Sequence, residues 1–329
     1  MGHVPRGDSR PRGHRPPHLL GRARYPYFQL NRPLFSHDPN PRHLGREWLR
    51  STWLLPTEST VGRFLAMGLT EAQRASWEEN GFFIERGFAD RAVTDAMIDR
   101  IIEIARADVA GEQRSDLFIT PDKTKENPPT PEVGVSKIFR VMRAEPVFHQ
   151  FATDPRLLSM VGDLIGPDVD CFLSQFIFKH PGTLGQPWHQ DDYYFRMTPL
   201  PQVGVWLACT AATPENGPLW IVPGSHTEPI HDAVPDTREG AGLAYVEIVD
   251  AATDNEQVVL MEPGDLLVFH SHLRHRSTDN LTDGMRAAMV YHYAAAGSEG
   301  FLAFNQDWTE VLRDGQPVQA STDPVPIEF

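Results

Sequence analysis

Cysteine is nearly absent: the 329 residues hold two, Cys171 and Cys209, both within apolar stretches. That excludes a disulfide framework and any cysteine-based zinc or iron–sulfur site. It suits a reducing compartment, and the expected location is cytoplasmic. Long apolar runs are missing as well. No stretch approaches the roughly 18 uncharged apolar residues of a membrane span, and the N-terminal region lacks the apolar segment of a secretory signal. Arg6 stands where a myristoylation signal starting at Gly2 requires Ser or Thr. Positive charge is in deficit: 30 Lys and Arg against 44 Asp and Glu leave −14. Such a surface repels a phosphate backbone, so neither a nucleic-acid nor a membrane partner is expected. Nothing in the pattern bears on oligomeric state.

The charge is unevenly spread. Residues 1–50 hold ten Arg, no Lys and three acids, a local +7 that leaves −21 for the remainder. With eight Pro and five His in the same stretch, residues 1–66 are expected to be a disordered or peripheral extension. Pro16–Pro17 interrupts the amphipathic helix that a transit peptide needs. A single domain is expected over 67–329, with a helical region at 67–166, a β-roll core at 167–295 and a tail at 296–329. Thr70 and Gln73 form a capping box before a helix at 71–79, and Asn80-Gly81 ends it. A stripe of Val93, Met97, Ile101 and Ile104 predicts a second helix over 92–107. Asp154 and Pro155 start a third. Residues 111–132 read as a long polar loop. After Gly166, short β-rich runs alternate with turn residues: 171–179, 204–210, 219–222, 245–249, 258–261, 266–270 and 287–293. That spacing indicates a sandwich or a jelly roll.

The sharpest local feature is Trp188-His189-Gln190-Asp191. On an extended strand, His189 and Asp191 point to one face and reach one metal ion together. A second His completes the two-His, one-carboxylate set of non-haem iron(II) oxygenases, which leaves positions open for substrate and oxygen. His270, His272 and His275 are the candidates. If 267–277 is one strand, the odd positions (Leu267, Phe269, Ser271, Leu273, His275) form the less polar face, and alternation favours His275 unless a bulge inverts it. A hairpin over 278–284 then brings Arg286 opposite His275, where a planar fork suits a ligand carboxylate.

Several runs resemble the phytanoyl-CoA dioxygenase family of Fe(II)/2-oxoglutarate oxygenases. They are Leu69-Thr70-Glu71 through Asn80-Gly81-Phe82, Phe178-Lys179-His180-Pro181-Gly182, Trp188-His189-Gln190-Asp191, Glu215-Asn216-Gly217-Pro218-Leu219 with Pro223-Gly224-Ser225-His226, and Gly264-Asp265 through His275-Arg276-Ser277 to Asn280 and Arg286. The resemblance covers about 69–295 in family order and spacing. Met67 stands where many members begin, so an alternative start there is an expectation. The resemblance implies a mainly β fold with α, a double-stranded β-helix (jelly roll, cupin-like) core with N-terminal helices packed on it. It implies Fe(II) held by His189, Asp191 and His275, with 2-oxoglutarate and O₂ as cosubstrates. Arg286 is implied as partner of the distal carboxylate, and Lys137, Gln175, Trp206 and Ser277 as further cosubstrate contacts. It gives His226 no role at iron. Halogenating relatives lack the carboxylate, so Asp191 points to hydroxylation, desaturation or ring closure.

Two other classes fit the same residues. One is a Zn or Mn hydrolase or isomerase on the β-roll, which has no use for Arg286. The other is a catalytically silent binding module. His180, His231 and His292 read as surface or satisfied core residues. The expected substrate is a partly apolar small molecule, from Trp188, Tyr193, Tyr194 and Phe195 near the His-x-Asp pair, although those rings equally suit a core. The pattern at 192–196 differs from that of ectoine hydroxylases, and the −21 disfavours an acyl-CoA unless the extension supplies cations. Segments 111–132 and 227–243 are the expected substrate covers.

Overall fold

Thr70 and Gln73 cap each other across the first turn of helix α1 (Glu71–Asn80), and Gly81 ends it in the left-handed conformation. The computed structural model describes residues 68–250, 252–301 and 305–318; the expectation for 1–66 falls outside them. Helix α2 (Arg91–Val109) buries Met97, Ile101 and Ile104, as its stripe predicts. Two short helices, α3 (Val141–Ala144) and α4 (Pro146–Ala152), lead to α5 (Pro155–Ile165), whose first N–H groups are met by Asp154. No described helix is long and apolar enough to cross a membrane.

The helices cover one face of a nine-stranded antiparallel sheet. Its main order is β1 (Phe82–Glu85), β10 (Leu266–His270), β5 (Val203–Ala208), β12 (Arg286–Ala295), β4 (Val169–Lys179), β13 (Thr309–Arg313) and β14 (Gln316–Pro317). Strands β2 (Phe118–Pro121) and β3 (Val135–Phe139) add to β4. Residues 111–132 are therefore not all loop, since Phe118-Ile119-Thr120 pairs with β3 inside a stretch whose flanks are polar. A second sheet joins β11 (His275–Ser277), β6 (Leu219–Ile221) and β9 (Gln257–Val259). The whole is a jelly roll, mainly β with helices packed on it.

Strand alternation separates two cores. Phe176, Val205, Met289 and Tyr291 face the helices. Trp206, Phe269, Ala288 and Val290 face the interior of the roll with Leu219 and Ile221 of the second sheet. Register aligns Gln175, Val290, Trp206 and Leu267 in one inward row, and sets Lys179 opposite Arg286. Gly204 lies opposite Phe269, and a Cβ at 204 would sit 2.4 Å from the Phe269 ring. That ring packs edge-on against His275 at 5.2 Å between centroids.

Gly204→Ala therefore overpacks the row beneath His275 and is expected to cost about 1–3 kcal/mol in denaturant unfolding. Gly284→Ala, where the nearest atom to the new Cβ is 4.0 Å away, is expected to leave the midpoint unchanged.

Candidate active site

Two strands meet at the site through a single backbone pair. His189 N–H donates to His275 O at 2.9 Å and His275 N–H to His189 O at 3.0 Å. The imidazoles lie side by side, 4.1 Å between centroids. Each ring is tied at Nδ1 to the carbonyl two residues back, His189 to Pro187 at 2.8 Å and His275 to Leu273 at 2.9 Å. A carbonyl only accepts, so each Nδ1 carries the proton and each Nε2 presents a lone pair. Both Nε2 atoms face Asp191 Oδ1, at 3.5 and 3.7 Å. The three donor atoms lie within 4.8 Å of one another. Two neutral imidazoles and a carboxylate on one side suit a divalent ion of the iron type.

Electrostatics prepare the same state. Burial, then the neighbouring His189 ring, hold His275 down to about 4, so its imidazole is neutral at pH 7. Burial opposes ionisation of Asp191, but the rings of His275 and His292 and the hydrogen bond to His292 hold its carboxyl well below the usual range.

The structure brings these residues together by a route that differs from simple alternation. Asp191 does not continue a strand from His189; it sits at the start of a one-turn helix, α6 (Asp192–Phe195). The run 267–277 is not one strand either. It breaks at Ser271–Arg274, so that His270 ends β10 in the large sheet and His275 begins β11 in the small one. Face counting across that break had no physical basis, even though it selected the residue that meets Asp191. His275 pairs with Ile221, and Arg286 pairs with Lys179, so the proposed hairpin between His275 and Arg286 does not form. The connection after Ser277 crosses from one sheet to the other.

Arg286 is nevertheless inside the roll, 2% exposed. Its Nη2 donates to Gly217 O at 2.8 Å and its guanidinium lies 5.5 Å from the Trp206 ring. Its Nε and Nη1 are buried with no hydrogen-bond partner among the described residues. Burial pulls its pKa down to about 10, so it remains a cation at neutral pH. Gly217, at φ 84°, has no room for a Cβ, which would lie 2.4 Å from Lys179 Cδ. Here the Asn216-Gly217 turn closes over the cations.

The other expected cosubstrate contacts lie around it. Ser277 Oγ accepts from Lys179 Nζ at 2.9 Å. Gln175 and Trp206 share the inward row, and Lys137 lies opposite Ile177 with its ammonium 4.8 Å from the Tyr245 ring. Sequence reasoning gave no site role to three residues found here. Lys179 is buried beside Arg286; burial, then that guanidinium, push its pKa well below the usual lysine value. His292 is 1% exposed and sits 2.8 Å from Asp191 Oδ2, not at the surface or in an inert core. Counting by twos from Arg286 along β12 reaches His292, so the signal was present. Tyr245 had no such signal, because it arrives on an irregular segment before β8 (Val246–Glu247), which pairs with β7 (Val234–Pro235).

The aromatics after the His-x-Asp pair divide. Tyr194 packs against His189 at 6.2 Å, whereas Phe195 packs into the core on Phe172 at 4.9 Å. Trp188 packs on the Arg276 guanidinium, 5.1 Å from its ring centre.

With this geometry in place, comparison with known proteins has a site to refer to. The profile of the phytanoyl-CoA dioxygenase (PhyH) family matches residues 77–288. Peroxisomal phytanoyl-CoA dioxygenase of Bos taurus is 30% identical over 236 residues, 69% of this chain and 69% of that protein. The chain belongs to the phytanoyl-CoA dioxygenase family. Phytanoyl-CoA dioxygenase 1 of Oryza sativa subsp. japonica is 28% identical over 289 residues, 77% of this chain and 98% of that protein. Among solved structures, EctD from S. alaskensis with 2-oxoglutarate and 5-hydroxyectoine has the same fold, with TM-score 0.53 and 20% identity over 69% of this chain and 76% of that one. In this family member, the residues that match the motif are the ones whose side chains converge.

In this family member a second group of rings gathers at His226, His270 and His272. His270 packs on Trp77, His226 and His272 at 5.7, 5.6 and 5.2 Å, and its Nδ1 accepts the His272 N–H. Burial first, then the two neighbouring rings, push it down to about 3. The unfolded chain thus binds a proton near pH 6.5 that the folded chain refuses until about 3. Stability from this group is complete above 6.5 and is lost as pH falls toward 3. His270→Gln is expected to reduce the drop in denaturant midpoint between pH 7 and pH 4.5. In a second experiment, anaerobic Co(II) titration is expected to give one ion per wild-type chain and none for Asp191→Ala or His275→Ala.

Proposed function

We propose that this chain oxidises a C–H bond of a partly apolar small molecule, with hydroxylation as the outcome. Fe(II), 2-oxoglutarate and O₂ supply the oxidising chemistry when bound, and succinate and CO₂ leave as coproducts. His189, Asp191 and His275 would hold the ion on one side. Both imidazoles are locked as Nε2 donors by their backbone carbonyl partners, so the chain spends little reorganisation on metal capture. No side chain is required to move a proton in the C–H step; the protein's work is orientation and exclusion of water.

The observation that carries this reading is the buried Arg286 fork, with two of its nitrogens unpartnered in the described structure. A buried guanidinium in that state calls for an anion. Lys179 and Ser277 stand beside it, and Ser277 is two residues beyond His275 on β11. Two residues of strand span about 6.6 Å, comparable with a five-carbon diacid that has one end at the metal ligands and the other at the fork. A Lewis-acid hydrolase has no use for that second anchor. Gln175 and Trp206 share the inward row on either side of Val290, and Lys137 lies over the Tyr245 ring.

The segment around Tyr245 is the cover this reading gives the site. Gln190 supports that cover: its amide donates to Pro229 O and His272 O and accepts from the His231 N–H. The relatives' names make phytanoyl-CoA the first compound to assay.

The test is succinate formation by anaerobically purified protein given Fe(II), 2-oxoglutarate and O₂, with and without phytanoyl-CoA. Wild type is expected to form succinate and His275→Ala none. Arg286→Ala is expected to need roughly 10–100-fold more 2-oxoglutarate, the loss of a charged hydrogen-bonded anchor. Metal-loaded wild type that forms no succinate would refute the oxygenase reading.

A further inference from the structure

The two oxygens of Asp191 have different neighbours. Oδ1 faces the Nε2 atoms of His189 and His275. Oδ2 lies 2.8 Å from His292 Nε2. An ionised carboxylate only accepts, so that imidazole nitrogen carries the hydrogen. His292 is also on a firmer mount than Asp191. It projects from β12, which is paired on both sides, to β4 and to β5. Asp191 stands at the start of a single helical turn.

Packing alone does not account for this ring. Phe172, Phe195 and Phe269 surround it at 5.9, 5.1 and 6.3 Å between centroids. A phenyl group would fill such a box as well. The imidazole instead buries an Nδ1 that has no partner among the described residues, a burial that costs about 1–3 kcal/mol. Among the described residues, its imidazole hydrogen-bonds to Asp191.

We infer that His292 is a positioning residue: by holding Oδ2, it makes Asp191 a ligand through Oδ1 alone. This rests on the reading of His189, Asp191 and His275 as metal ligands. A carboxylate bound through both oxygens takes two coordination positions, whereas one bound through a single oxygen leaves a position for a small molecule. His292 also removes the freedom of the carboxylate to rotate, which fixes Oδ1 toward the two imidazoles before any ion arrives. Outer partners of this kind hold metal ligands in orientation, and their loss costs about 10–100-fold in metal affinity or activity.

The experiment compares wild type, His292→Phe and His292→Gln by Co(II) titration under anaerobic conditions, read by calorimetry and by visible absorption, with unfolding midpoints alongside. Phe keeps the ring volume and removes the donor. Gln restores an N–H at similar reach. The expected result is a roughly 10–100-fold loss of Co(II) affinity in His292→Phe with a changed absorption spectrum, and recovery of most of that affinity in His292→Gln. Wild-type affinity and spectrum in His292→Phe would overturn the inference. So would equal losses in both variants that track lowered unfolding midpoints, since the ring would then act by packing. Wild type that binds no Co(II) would overturn the ligand reading itself, and this inference with it.

Discussion

The pair of backbone hydrogen bonds between His189 and His275 is the constraint on which the rest of the site depends. It joins two segments 86 positions apart in the chain and brings their imidazoles to 4.1 Å between centroids. Everything else at the ligand cluster is arranged around that pair. The carbonyls of Pro187 and Leu273 choose the tautomers. Phe269, seated over Gly204, supports the His275 ring from the large sheet. Asp191 follows His189 closely enough for one oxygen to reach both rings, and His292 holds the other oxygen.

A second constraint is the burial of positive charge. The chain has only four lysines, and Lys179 lies buried directly beside Arg286. Burial holds both below their ordinary pKa values, and for Lys179 the neighbouring Arg286 guanidinium adds to it. Ser277, the Thr278 carbonyl and the Gly217 carbonyl meet part of that demand. The remainder is what an anionic ligand would satisfy. The metal ligands and the cation pocket thus meet through β11, which carries His275 at one end and Ser277 at the other.

Much of this was legible in the sequence, for reasons that can be named. Helices α1, α2 and α5 follow from the Thr70–Gln73 box, the Met97–Ile101–Ile104 stripe and the Asp154-Pro155 start, all local signals. The β runs after Gly166 were visible as short apolar segments between turn residues. Pairing was not visible. Alternation gives the face of a residue only while the strand lasts, and the break at Ser271–Arg274 moved His275 into another sheet. The partner of Arg286 was misread for the same reason: a turn-like sequence between two strands does not say that they pair with each other. His292 was passed over because its meaning depends on Asp191, 101 positions away. Strands β2 and β3 were hidden by the polar residues around them, and Tyr245 by the irregular backbone that carries it.

The central claim is that the three ligands and Arg286 serve one bidentate cosubstrate. The most direct measurement is the visible spectrum of the anaerobic Fe(II) protein as 2-oxoglutarate is added. Chelation of ferrous iron by the keto acid produces a metal-to-ligand charge-transfer band. The account predicts that band in wild type, saturating with one equivalent of iron per chain, and a much higher 2-oxoglutarate requirement in Arg286→Ala. Iron bound stoichiometrically with no band at any 2-oxoglutarate concentration would contradict it.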